Sequence, residues 1–164
     1  MAVSEILHKP GTARTFASAG DTTFTPKNIS SGDARVSAQW DRGAGSLPGL
    51  YRWFAKSKSG SAYTVGRGVQ IFLSQAKDAT DLPGRVGTSD ASISTAADRV
   101  RNLQPVGSII ADTTTAGAAI IASGTVFIHS RYVSVLWLND LGVTLTNTDA
   151  DHEFVLQPLP PEAQ

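Results

Sequence analysis

The chain of 164 residues contains no cysteine. That removes disulfide scaffolds, thiolate zinc sites and cysteine nucleophiles together. Charge is scarce as well: charged residues make up 17% of the chain, 14 basic against 14 acidic. A balanced, sparse charge gives no basic footprint for nucleic acid. It also falls below the quarter or so that is usual for soluble domains, which predicts that a partner covers part of the surface. No apolar run reaches the ~18 residues that span a bilayer, and "MAVSEILHKPGTARTF" lacks a continuous apolar signal core. The sequence-level expectation is a chain that stays in the cytoplasm where it is made, or in what assembles there.

Catalytic signatures are missing in the same way. There is no G-x-S-x-G elbow, and the glycines of "TVGRGVQ" and "AGDTT" fit neither a phosphate loop nor a dinucleotide fingerprint. The three histidines, His8, His129 and His152, are scattered over an N-terminal segment, a strand face and an acidic turn. Local hydrogen bonding accounts for them better than a shared metal. Asn147, Asp149, Asp151 and Glu153 stand two apart, like the start of a calcium loop. His152 occupies the place of the turn glycine, however, and the late bidentate glutamate is missing. Asn and Asp in a hairpin turn explain the same residues. No catalytic, cofactor-binding or metal-binding residue is assigned.

What is present is β-pattern. Residues 1–20 read as an extended arm, with one helical turn at 4–8, and 21–164 as a single β-sandwich domain. Thr22 to Ile29 is strand-prone but interrupted by Pro26. Ala34, Val36, Ala38 and Trp40 alternate with Arg35, Ser37 and Gln39, as in a half-buried strand. After an Asp41–Gly49 loop, "LYRWFAKSK" is a strand, "SGSAYTVGRG" a hairpin, and "VQIFLSQ" a strand with Val69, Ile71 and Leu73 on one face. Lys77 to Gln104 is the least patterned region. Its second half reads as a short helix with Ile93, Ala97, Val100 and Leu103 aligned, capped by Ser89 or Asp90.

Further on, "VGSIIAD", "AAIIAS" and "TVFIHS" read as three strands, the last two separated at Gly124. "RYVSVLWLN" is apolar on both faces and predicts a central strand covered on both sides. "VTLTN" follows as its hairpin partner and "HEFVLQPL" as the closing strand. Eight or nine short strands, with turns spaced ~8 to 12 residues apart, predict an all-β antiparallel sandwich.

The aromatic residues are read as core and interface rather than as a sugar-stacking platform. "YRWF" places Tyr51 and Trp53 on one face and Arg52 and Phe54 on the other, so both faces carry bulk. Candidate partner-binding residues are Arg14 and Phe16 in the arm, with Arg42, Leu47, Leu50 and Tyr51 around the loop.

The segment "SGTVFIHSRYVSVLWLNDLGVTLTNTDADHEFVLQPL", about a quarter of the chain, resembles the jelly-roll cement (decoration) proteins of tailed-bacteriophage heads. A glycine turn at Gly124 leads into Arg131, Tyr132 and the dense run Val133 to Leu138, then a partner and a closing strand. Lys77 to Gln104 departs from that pattern. The resemblance implies a jelly-roll sandwich without enzymatic activity that sits on the outside of a capsid in the virion. Its partners would be the major capsid protein and copies of itself, as a dimer or trimer, with no nucleic acid, membrane or cofactor. The alternatives weighed are a glycan- or receptor-binding module of a tail or fibre, a head–tail joining protein, and a small sandwich enzyme using His129 or His152.

Overall fold

The computed structural model describes residues 12–44, 49–93 and 100–159. Eleven strands follow in chain order: β1 Arg14–Ala17, β2 Thr22–Thr23, β3 Ala34–Val36, β4 Trp40–Asp41, β5 Gly49–Lys58, β6 Gly68–Ala76, β7 Ala91–Ile93, β8 Gln104–Ile110, β9 Ala119–Ile128, β10 Tyr132–Asp140 and β11 Glu153–Pro158. One sheet has the order β2-β1-β11-β5-β9 and the other β7-β3-β10-β6-β8, with β4 also paired to β10. Leaving aside the short β2, β4 and β7, eight strands remain. Counted along the chain, the first, eighth, third and sixth form one sheet, and the second, seventh, fourth and fifth form the other. That is the double Greek-key order of a jelly roll. The expected all-β sandwich is what the chain adopts.

Why these segments become strands is visible in their burial. β5 alternates without a break, with Tyr51, Trp53, Ala55 and Ser57 inside and Leu50, Arg52 and Phe54 outside. β10 has no exposed face over Val133 to Trp137. It lies between β3 and β6, and both of its sides are covered. Its even-numbered Leu136 joins Val36, Ile93 and Leu103 in a small cluster under the connections. Its odd-numbered Val133, Val135 and Trp137 enter the main core between the sheets. The doubly apolar pattern of this segment is therefore a correct reading of a central strand.

Several expectations are corrected. The arm over 1–20 ends early, because Arg14–Ala17 is a sheet strand paired with β11 and β2. The helical turn expected at 4–8 lies outside the described residues. Of Thr22 to Ile29 only two residues are strand, and Phe24 is instead a fully buried core residue. The single strand expected from Ala34 to Trp40 is split between β3 and β4. At the break, Ser37 accepts a hydrogen bond from the Val135 amide on its hydroxyl and returns one to the carbonyl of Ala38.

Gly124 does not separate two strands, since β9 runs through it and pairs continuously with β5 from Ala119 to Ile128. The expected "SGSAYTVGRG" hairpin is a crossing between sheets, because β5 and β6 belong to different ones. "VTLTN" is not a strand: β6 already occupies that side of β10, and only Leu145 makes a bridge, to Ser59. At the two ends of the segment expected to be a short helix, Ala91–Ile93 pairs with β3 and a 3-10 turn spans Val100–Asn102; its middle, residues 94–99, lies outside the described residues.

Candidate interaction surface

Two surfaces stand out. The first is a ladder of arginines and aromatic rings at one end of the sandwich. Short β1 and β4 bring it together from distant parts of the chain. The Arg14 guanidinium lies 5.6 Å over the Trp40 ring, and Trp40 meets Phe16 and Tyr51 edge-on, each at 6.2 Å. Arg42 stacks 5.4 Å over Tyr51 and donates to its hydroxyl at 3.1 Å and to the Ser130 carbonyl at 2.9 Å. Beside them Arg131 grips Asp41 with two 2.7 Å bonds while lying 4.8 Å over Tyr132. That fork, with the Gly43 amide, holds the Asp41 carboxyl down at about 2. Guanidinium groups held over rings and by hydrogen bonds are pre-positioned, so less side-chain entropy remains to be lost on contact with a partner.

The second surface is the outer face of β5 and β9. Leu50 (45% exposed), Phe54 (37%), Ile121 (57%) and Phe127 (50%) are four of the six exposed large apolar residues among the described ones, and all lie there. The register sets Leu50 beside Phe127, Phe54 beside Ser123, and Lys56 beside Ile121. A hollow of about 390 Å³ on this face is lined by Arg52, Phe54, Ser123, Val155 and Gln157. Strand alternation produces the arrangement: the outward positions Leu50, Arg52 and Phe54 of β5 and Ile121, Ser123, Thr125 and Phe127 of β9 share this face, while Tyr51, Trp53, Ile120 and Val126 point to the core.

The sequence-predicted partner residues fall as follows. Arg14, Arg42 and Tyr51 converge on the arginine–aromatic ladder, and Leu50 on the apolar face. Phe16 is corrected: its ring is fully buried between Trp40 and Phe154 and belongs to the core. Leu47 lies outside the described residues. Ile121 and Phe127 were not singled out from sequence, although their odd spacing in "AAIIASGTVFIH" carries the signal.

The titratable groups have local partners. His152 is buried, with Nδ1 3.0 Å from the Ser57 hydroxyl and Nε2 3.0 Å from the Thr146 hydroxyl and 3.1 Å from the Thr146 carbonyl. A carbonyl only accepts, so Nε2 carries the proton and Nδ1 accepts from Ser57. Desolvation pushes this imidazole below its usual range. Ser57 is fully buried as well. Asp149 and Asp151, in the turn spaced like the start of a calcium loop, are bound by Lys27 at 3.0 Å and Lys58 at 2.8 Å. Among the described residues no group of three or more His, Asp or Glu is placed to hold a metal. A cavity of about 580 Å³ borders this turn, lined among others by Ser18, Lys56, Asp149, His152 and Glu153. Lys56 there donates to the Ala150 carbonyl at 3.0 Å.

Compared with known proteins, the chain matches no family model and no curated protein.

Proposed function

We propose that the chain is a non-enzymatic virion structural protein that binds the outside of a tailed-phage capsid and cements neighbouring coat subunits. The observation that supports this most is the concentration of exposed apolar side chains on the outer face of β5 and β9. Apolar residues gathered on one rigid sheet face mark a contact surface rather than random exposure. The jelly-roll strand order is in keeping with the sequence resemblance to cement proteins, although a fold carries function only by analogy. Few charges and a stiff two-faced central strand fit a protein that binds as a rigid body, and many copies on a symmetric lattice gain from multivalency.

A glycan-binding module fits less well. Tyr51, Trp53, Tyr63 and Trp137 are all buried, and Trp40 is held between Phe16 and Tyr51. No tryptophan is left as an open stacking platform. The test is sedimentation of the purified chain with undecorated, expanded phage shells. The proposal expects saturation at a fixed ratio to coat protein and shells that survive more heating. A folded chain that does not bind expanded shells but is thermally stabilised by a sugar would replace it with the glycan reading.

A further inference from the structure

Among the described residues, the four outermost strands of the two sheets are not alike. β2 has two residues and β7 three, too short to template a neighbour. β8 carries Pro105 and faces a bulge between Ile71 and Phe72. These are devices by which natural sheets prevent edge-to-edge pairing. β9 has none of them: ten residues, AIIASGTVFI, without a charge, a proline or a register shift. Among the described residues its guard is at one end, where the Phe127 carbonyl accepts from Gln75 at 3.2 Å and Gln104 at 3.3 Å. Both glutamines belong to the opposite sheet, so this carbonyl points away from β5. In an antiparallel ladder backbone direction alternates, so the N–H and C=O groups of Ile121, Ser123 and Thr125 also point to the open edge.

We propose that β9 pairs antiparallel with β9 of a second copy, about a two-fold axis at Gly124, joining two five-stranded sheets into one. The strand is self-complementary about that point. Ile121 of each copy then lies opposite Phe127 of the other, and Ser123 opposite Thr125, all on the outer face. Gly124 meets itself at a non-hydrogen-bonded position, where strands approach most closely and the smallest residue fits best. The Phe127 carbonyl already accepts from both glutamines, so the incoming amide displaces one of these two long side-chain bonds. An isologous pair of this kind closes on itself and leaves no further β9 edge to propagate. The outer faces of the two copies become one continuous apolar surface. This adds a self-contact to the proposed capsid-binding role and does not require shell binding.

The test uses the full chain alone, by sedimentation velocity across a concentration series. The proposal expects a species of twice 17.2 kDa. Ile121→Lys and Thr125→Pro, which alter only outward groups of an edge strand, are expected to weaken dimerisation at least ~10-fold while the far-UV spectrum and melting temperature stay near wild type. In this cysteine-free chain, the double variant Ser123→Cys/Thr125→Cys is expected to oxidise to a covalent dimer. A monomer at every concentration overturns the inference, and so does a dimer indifferent to both edge variants. Shell binding is measured separately, so either proposal can fail while the other stands.

Discussion

The indole of Trp53 lies flat against Gly124: a Cβ added to that glycine would stand 2.8 Å from Trp53 Nε1. The same ring fills the space above Gly107 in the opposite sheet, where an added Cβ would meet Cζ2 at 2.7 Å. One tryptophan thus spans the gap between the sheets, and two glycines make room for it. Gly124→Ala is expected to destabilise by ~1–3 kcal/mol, the usual cost of overpacking a filled core. Denaturant unfolding checks it, with partial recovery expected in the Gly124→Ala/Trp53→Phe pair.

Neighbouring residues of the central strand are expected to behave alike, whereas those of β5 are not. Leu136 and Trp137 are both fully buried, on opposite faces of β10. Truncating either to Ala is expected to cost ~2–5 kcal/mol. On β5, Trp53→Ala carries a cost of that order, and Phe54→Ala stays within about 1 kcal/mol because its ring already faces water. Equilibrium unfolding of the four variants separates the two patterns.

Asn139 is a buried knot rather than a surface amide. Its side-chain nitrogen donates to the carbonyls of Ile29 and Val143, both at 2.8 Å, and its oxygen accepts from the Leu141 amide at 3.0 Å. Asn139→Ala takes a partner from three backbone groups; the Ile29 carbonyl keeps the Leu145 amide, and the Val143 carbonyl and Leu141 amide cost ~1–3 kcal/mol for each that finds no water. A loss of less than ~1 kcal/mol in chemical denaturation would contradict that role.

His152 makes stability depend on pH in a defined window. Burial lowers its folded pKa below the ordinary 6.5, outweighing the Thr146 carbonyl and the nearby Asp149 and Asp151 carboxylates. The unfolded chain therefore binds this proton first. The stability contribution is full above about 6.5 and is lost as pH falls from there toward the folded value. The aspartates do not obscure it, since Asp41 titrates at about 2 and Asp149 and Asp151 below the usual carboxylate range. Melting temperature is expected to fall between about pH 7 and pH 5, and His152→Gln to flatten that slope.

What could be read from sequence divides along physical lines. β10 was legible because a run apolar on both faces has one economical place in a sandwich, the middle of a sheet. β5 and β11 were legible from alternation and their bounding turns. Phe16 was not, because a four-residue strand carries no local period and its partner Phe154 is far along the chain. Gly124 read as a break because local propensity prices glycine as strand-breaking, while the tryptophan that requires it sits on another strand. "VTLTN" alternates like a strand, but β6 had taken the neighbouring place, and sequence pattern does not rank competitors for one edge. The arginine–aromatic ladder was half visible, in Arg14, Arg42 and Tyr51. Trp40, the ring that joins them, read only as one more inward residue.

The most direct measurement is a binding titration of wild type and Phe54→Glu against undecorated expanded shells, with both proteins matched in fold by circular dichroism. The account predicts saturable binding by the wild type and at least ~10-fold weaker binding by the variant, since a charge then replaces the centre of the outer apolar face. Wild-type protein that leaves the shells bare, or a variant that binds as tightly as wild type, would contradict it.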